Sequence, residues 1–149
     1  MIGIDTVDID RLRDAFLRAP GLERRLFTDR ERDYCRRKAD PLLHFAGTLA
    51  AKEAVIKAGH LGTLVAWGRR VEIDRRSDGA PGARIRGVEH GPIHVSISHD
   101  GSVAVAVAVA DTPRRSPTSD GTAPLHLSEV SAAPKPNEHL LRYIGTDFP

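Results

Sequence analysis

Asp5, Lys52, Glu53 and Lys57 stand where the surrounding pattern calls for apolar or small residues. Asp5 interrupts "IGIDTVDI" (2–9), in which Ile2, Ile4, Val7 and Ile9 mark an aliphatic alternation that slips once, near Asp5 and Thr6. Lys52, Glu53 and Lys57 interrupt "AAKEAVIKA" (50–58), which is otherwise alanine and aliphatic. On a helix, Ala46, Ala50, Glu53 and Lys57 follow one another at +4, +3 and +4 and share one stripe. Leu42, Phe45, Leu49 and Ile56 lie beside it, so Glu53 and Lys57 fall at the edge of the apolar face. As a plain surface pair, Glu53 and Lys57 would contribute about 0.2–0.5 kcal/mol. Asp5 would then be a strand-end or capping residue. As a site, the same residues describe phosphate chemistry. Mg²⁺ takes one or two protein carboxylates and completes its octahedron with water and phosphate oxygens. A small-residue face lets phosphates approach, and a lysine offsets their charge, which suffices for phosphoryl-type transfer. Spacing alone leaves both open. His99, in "SISHD" with Ser98 and Asp100, is either a solvated strand-end histidine or a further phosphate contact.

The elements that must position these residues follow from periodicity. Residues 2–9 predict a strand running into a helix, whose Ile9, Leu12, Phe16 and Leu17 have helical spacing and whose stop is Pro20-Gly21. Arg11, Arg13 and Arg18 occupy its other face. Thr28 and Glu31 predict a capping box opening a short helix to about Lys38. A longer helix runs from about Leu42 to Ala58, with Gly59 as its stop. "GRRVEIDRRSDGAPGARIRGVE" predicts two strands around a turn at Asp78-Gly79 and Pro81-Gly82. "HVSISHDGSVAVAVAVAD" predicts a hairpin turning at Asp100-Gly101. Strands grouped after helices imply an α+β domain with an antiparallel sheet. From about Thr112 prolines multiply among Ser, Thr, Gly and charges, which predicts a domain over 1–111 and a flexible tail over 112–149.

Totals narrow the classes. The 149 residues suit one domain that buries roughly two thirds of its unfolded surface. A formal charge of +2 is too small for a nucleic-acid signature, and the basic pairs in "CRRK", "GRR" and "PRR" lack interleaved aromatics for stacking. Cys35 is the single cysteine, which excludes an internal disulfide and suits a reducing compartment. The acidic N-terminal stretch has no long apolar run, and no segment approaches the ~20 apolar residues of a membrane span. A cytoplasmic protein bound neither to membrane nor to nucleic acid is expected.

Four segments, in order, then carry a resemblance: "GIDTVDIDR" (3–11), "FTDRERDYC" (27–35), "FAGTLAAKEAVIKA" (45–58) and "HVSISHD" (94–100). Together they resemble the holo-[acyl-carrier-protein] synthases, the small single-domain 4′-phosphopantetheinyl transferases, over roughly residues 2–110. The resemblance implies an α+β fold with a long helix packed on a small antiparallel sheet. It implies Mg²⁺-dependent transfer of 4′-phosphopantetheine from coenzyme A (CoA) to a serine of an acidic acyl or peptidyl carrier protein, releasing adenosine 3′,5′-bisphosphate. Such transfer serves fatty acid or polyketide biosynthesis. By resemblance Asp5 and Glu53 are the metal ligands, and Asp5, Glu53 and Lys57 are the catalytic residues. Lys52, Lys57, Ser98 and His99 are expected at the CoA phosphates, and Arg11 and Arg18 on the helix that docks the carrier. A trimer is implied, one chain giving the Asp and Glu and its neighbour the His.

The chain also differs from the pattern. Thr48 stands where many members have an arginine. "VEHGPI" replaces a longer alanine-rich helix, and "GHLGT" replaces a fuller glycine-rich loop. A divergent enzyme serving a specialised carrier fits these changes. A non-catalytic relative that binds CoA or a carrier domain is the alternative.

Overall fold

A computed structural model of the chain describes residues 1–111. The expected tail over 112–149 lies outside the described residues. The elements run β1 (Ile2–Asp8), α1 (Ile9–Arg18), α2 (Leu22–Leu26), α3 (Asp29–Arg36), α4 (Pro41–Ala58), α5 (Leu64–Trp67), β2 (Val71–Arg75), β3 (Pro81–Ile85), β4 (Ile93–Asp100) and β5 (Val103–Ala110). One five-stranded sheet has the order β1-β5-β4-β3-β2, with every pair antiparallel. This is the α+β class that the grouping of strands predicts. Helices α2 and α5 are additions, too short to show a period of their own.

Caps decide where the helices start. Asp8 accepts a bond from Arg11 N at 2.9 Å and opens α1 directly from the strand. Thr28 and Glu31 form the expected capping box, with Thr28 N donating to Glu31 Oε2 at 2.7 Å. Asp40 caps α4 ahead of Pro41, whose missing N–H costs nothing in a first turn.

Small residues decide how α4 lies on the sheet. Ala50, Ala51, Ala54 and Ala58 are buried, as are Ala104, Ala106, Ala108 and Ala110 of β5. Gly3 of β1 sits directly beneath the helix: a Cβ there would lie 2.1 Å from Ala54 O and 2.7 Å from Ala58 N. The β4–β5 turn also needs glycine, because Gly101 has φ of 55°. Around this layer, Phe16, Phe27 and Phe45 meet edge to face with centroids 5.0 to 6.3 Å apart.

Register then assigns faces. Gly3, Asp5 and Val7 pair with Ala108, Ala106 and Ala104, so they share the face under α4. Ile2, Ile4 and Thr6 pair with Val109, Val107 and Val105 on the opposite face. No helix among the described residues covers that second face at Ile2, 73% exposed, or Ile4, 59% exposed. In β5 it is therefore the alanines, not the valines, that fill the core.

Candidate active site

Asp5 and Lys57, distant in sequence, meet because α4 crosses β1. Lys57 Nζ lies 2.7 Å from Asp5 Oδ1 and 3.2 Å from Ile4 O. The Asp5 side chain is 15% exposed and that of Lys57 36%, so the pair sits at the edge of the layer, partly screened from water. Burial raises the Asp5 carboxyl above its ordinary range, and the Lys57 hydrogen bond and charge oppose that shift. Glu53, one helical turn before Lys57, is pushed up to about 7 by burial first and by the Asp5 charge second, with Lys57 acting the other way. Asp5 and Glu53 thus feel one another electrostatically. Two carboxylates held together in low dielectric retain a proton between them or take up a cation. Among the described residues no group of three or more His, Cys, Asp or Glu converges as a metal cage. A hard cation that keeps most of its ligands as water and phosphate oxygens needs no such cage, and the pair suits it.

His99 stands apart from these acids within the chain. Asp5 is opposite Ala106, Ala106 is opposite Ile97, and His99 lies two residues further along β4. Two strand spacings and two residues of rise separate it from Asp5 by roughly 12 Å. His99 does share the α4 face of the sheet, since it pairs with Ala104. Ser98 pairs with Val105 and points to the opposite face, so the structure does not bring Ser98 and His99 together.

Lys52 corrects an expectation. Its side chain is fully buried and forms an ion pair with Glu31 at 2.7 Å, whose own side chain is 1% exposed. Lys52 Nζ also donates to Val71 O at 2.6 Å and to Gly68 O at 2.5 Å. Glu31 in turn accepts from Thr28 N at 2.7 Å and Ile73 N at 2.8 Å. One turn earlier on the same helix, Thr48 is buried against Cys35 Sγ, 3.8 Å away, whose thiol burial pushes up to about 11. Lys52 therefore fastens α4 to α3, α5 and β2, and has no surface to offer a CoA phosphate. Spacing could not reveal this, because its acid, Glu31, lies on another helix.

On α1, Arg11 and Arg18 are exposed and, seven positions apart, share one face. Arg18 pairs with Asp14 at 3.4 Å, in a water-exposed bridge of the kind that is worth little and is readily exchanged.

Residues 1–109 match the model of the 4′-phosphopantetheinyl transferase superfamily. The chain is 40% identical over 121 residues to a holo-[acyl-carrier-protein] synthase of Geobacter metallireducens, covering 73% of this chain and 94% of that one. It is 35% identical over 119 residues to the synthase of Frankia alni, covering 74% and 96%. Among solved structures it superposes on the Helicobacter pylori holo-[acyl-carrier-protein] synthase in complex with coenzyme A with a TM-score of 0.63 and 27% identity, over 74% of this chain and all of that one. The Bacillus anthracis synthase in complex with CoA (3′,5′-ADP) gives 0.63 and 29%, over 73% and 93%. Asp5, Glu53 and Lys57 all fall inside the matched span, and the chain belongs to the 4′-phosphopantetheinyl transferase superfamily, as an enzyme of its holo-[acyl-carrier-protein] synthase branch.

Proposed function

We propose that this enzyme moves 4′-phosphopantetheine from CoA to a serine of an acidic acyl or peptidyl carrier protein, in a Mg²⁺-dependent reaction at Asp5, Glu53 and Lys57. The observation that carries the reading is the coupling of those three side chains at one edge of the sheet. Asp5 and Glu53 would hold the metal. Bound Mg²⁺ supplies charge neutralisation on the CoA pyrophosphate. Lys57, already within 2.7 Å of Asp5, offsets charge that builds on the transferring phosphoryl group. The serine oxygen forms a bond to the β-phosphorus while the bond from that phosphorus to the bridging oxygen breaks. Adenosine 3′,5′-bisphosphate leaves with the electron pair, and the serine proton passes to a carboxylate or a water at the site. Arg11 and Arg18 present the charge that speeds encounter with an acidic carrier.

The roughly 12 Å between His99 and Asp5 supports a site completed by a second copy. So does the apolar outer face of Ile2, Ile4, Val103 and Val109, each at least 40% exposed. We read the assembly as a trimer in which one chain gives Asp5 and Glu53 and its neighbour His99. No helix among the described residues is long and apolar enough to cross a membrane. The reading places the enzyme in the cytoplasm, where CoA and fatty acid or polyketide carriers meet.

The test is incubation with CoA, Mg²⁺ and a panel of apo carrier proteins, each then weighed by mass spectrometry. A gain of one phosphopantetheine on at least one carrier, abolished by Glu53→Ala, is expected. No gain on any carrier, with Glu53→Ala indistinguishable from wild type, overturns the reading. Saturable CoA binding without carrier modification would identify a non-catalytic relative instead.

A further inference from the structure

We propose that an arginine network at the β2–β3 end of the sheet is a docking surface for an acidic protein, the carrier of the proposed reaction, separate from α1 and from the Asp5–Glu53 pair. Glu72 of β2 is its centre. The Glu72 side chain is 8% exposed, and three guanidiniums converge on it: Arg30 from the first turn of α3 at 3.7 Å, Arg84 of β3 at 4.0 Å, and Arg86 just beyond β3 at 3.4 Å. Register brings two of them there, because Glu72 pairs with Arg84 across the strands. Arg84 also lies 2.7 Å from Asp74. Arg69 and Arg70 extend the network. Arg69 Nη1 donates to Arg24 O at 2.8 Å, and its Nη2 is 3.3 Å from Asp29 Oδ1. Arg70 stacks over the buried Trp67 ring at 4.0 Å and donates from Nη2 to Arg86 O at 3.4 Å.

The carboxylates here are oversubscribed. Glu72 is shared by three arginines, and Asp29 also serves Arg32 at 2.7 Å. Among the described residues Arg70 has no carboxylate within 4.0 Å. Five arginines against Asp29, Glu72 and Asp74 leave two positive charges in excess, as much as the formal charge of the whole chain. Arg30, Arg84 and Arg86 are each more than half exposed, so most of their donors face water. Glu72, the Trp67 ring and two backbone carbonyls hold the guanidiniums in place before a partner arrives, which lowers the ordering cost of binding. Discrete carboxylates on a protein fit between such fixed forks. A nucleic acid fits less well. The acids of the network interrupt the positive track that a phosphate backbone follows, and Trp67, wholly buried, has no free face for a base.

The network stands well away from the chemistry. Four strand spacings separate β2 from β1 in the sheet order, roughly 19 Å. A domain of about 100 residues spans roughly 26 Å across twice its radius of gyration. One partner can therefore rest on these arginines while a different part of its surface reaches an acid pair, and contacts made far from the reacting atoms still contribute to holding the substrate. That the partner is a carrier rests on the proposed transferase reading. That the surface selects an acidic protein rests on the arginines alone.

The test measures binding of fluorescently labelled apo carrier proteins to the full chain by anisotropy, over a series of salt concentrations, and weighs the same carriers after incubation with CoA and Mg²⁺. Arg84→Gln/Arg86→Gln should raise the carrier Kd about tenfold and flatten its dependence on salt. Arg30→Gln, on a separate element and largely exposed, should act in the same direction. KM for CoA at saturating carrier should stay within about threefold of wild type. Arg84→Lys/Arg86→Lys should recover much of the affinity. Where the double variant fails to fold, adding Glu72→Gln removes the orphaned buried acid, and the triple variant carries the same expectation. An unchanged Kd in the folded variants overturns the proposal. So does a variant that keeps its carriers but loses retention of a single-stranded RNA held by wild type. Carriers that gain mass with wild type, and bind the variants equally well, sink the docking surface and leave the transferase standing. Carriers that bind through Arg84 and Arg86 yet gain no mass do the reverse.

Discussion

Lys57 Nζ and Asp5 Oδ1 are 2.7 Å apart although 52 positions separate the residues in the chain. The contact joins the first strand to the last turn of the long helix, within electrostatic reach of Glu53. Burial raises the Asp5 carboxyl above its ordinary range, and the Lys57 contact opposes that shift. Replacing Lys57 with Met should lower kcat/KM for CoA by about 10²- to 10³-fold, the cost of removing one preorganised donor at a developing charge. Lys57→Arg should recover part of it. Steady-state kinetics on a carrier that wild type modifies decides the matter. A Lys57→Met enzyme within a factor of about three of wild type, roughly 0.65 kcal/mol, would remove Lys57 from the chemistry.

Lys52 should behave in the opposite way. Its ammonium is fully buried with Glu31, and four backbone groups complete the cluster: Gly68 O, Val71 O, Thr28 N and Ile73 N. Lys52→Met leaves the Glu31 carboxylate buried without its cation, which costs about 3–5 kcal/mol. Urea denaturation should show that loss, and Lys52→Met/Glu31→Gln should regain part of it. In the enzyme that remains folded, KM for CoA should stay near the wild-type value. A raised KM with unchanged unfolding midpoint would return Lys52 to the CoA site.

How much of this was legible beforehand depended on distance along the chain. The stripe of Ala46, Ala50, Glu53 and Lys57 is local, so helical periodicity placed the acid and the base one turn apart at the edge of the buried face. Thr28 and Glu31 are likewise local, and their capping box formed as spacing implies. Lys52 was misplaced because its partner is on another helix, and nothing in "AAKEA" distinguishes an ammonium bound for the core from one bound for solvent. The β5 valines were ambiguous for a related reason. Strict alternation of Val and Ala shows two faces without saying which is covered, and close approach of α4 over Gly3 selects the smaller side chain. Helices α2 and α5 span a turn or so each and have no period to detect.

Gly3 is the tightest point of that approach. A methyl group there would sit 2.1 Å from Ala54 O and 2.7 Å from Ala58 N, and both neighbours are backbone atoms of a packed helix. Gly3→Ala must therefore lift α4 off β1 and pull Glu53 and Lys57 away from Asp5. A loss of about 3 kcal/mol or more in unfolding free energy is expected. Thr6→Ala, on the exposed face of the same strand, should stay within about 0.5 kcal/mol. Equal midpoints for Gly3→Ala and wild type would contradict the packing described.

Glu53 makes the metal-free protein sensitive to pH. Its carboxyl is raised from 4.5 to about 7, chiefly by burial. In the window between those values the folded state keeps a proton that the unfolded state has released. The associated stability is fully present below about 4.5 and is lost as the pH rises through about 7. Chemical denaturation in the presence of a chelator should show stability falling across that window. Glu53→Gln, uncharged throughout, should flatten the fall. A wild-type profile as flat as that of Glu53→Gln would mean that Glu53 is already ionised at pH 5.

The outer sheet face and the distance to His99 make a joint prediction about assembly. Ile2 and Ile4 of β1 align with Val109 and Val107 of β5, an apolar strip on the face away from α4. Burying such a strip between copies recovers apolar area that one chain leaves in water. Ile4→Asp puts a charge in its middle and should shift the protein to monomer in light scattering, with activity falling alongside. If the same assembly joins Asp5 of one copy to His99 of the next, two inactive variants can repair one another. Asp5→Ala and His99→Ala, each weak alone, should regain a fraction of wild-type activity when co-expressed, because some junctions pair an intact acid with an intact histidine. Mixed assemblies that form but remain inactive would place the whole site within one chain, and the roughly 12 Å between Asp5 and His99 would then have to be closed by movement of β4.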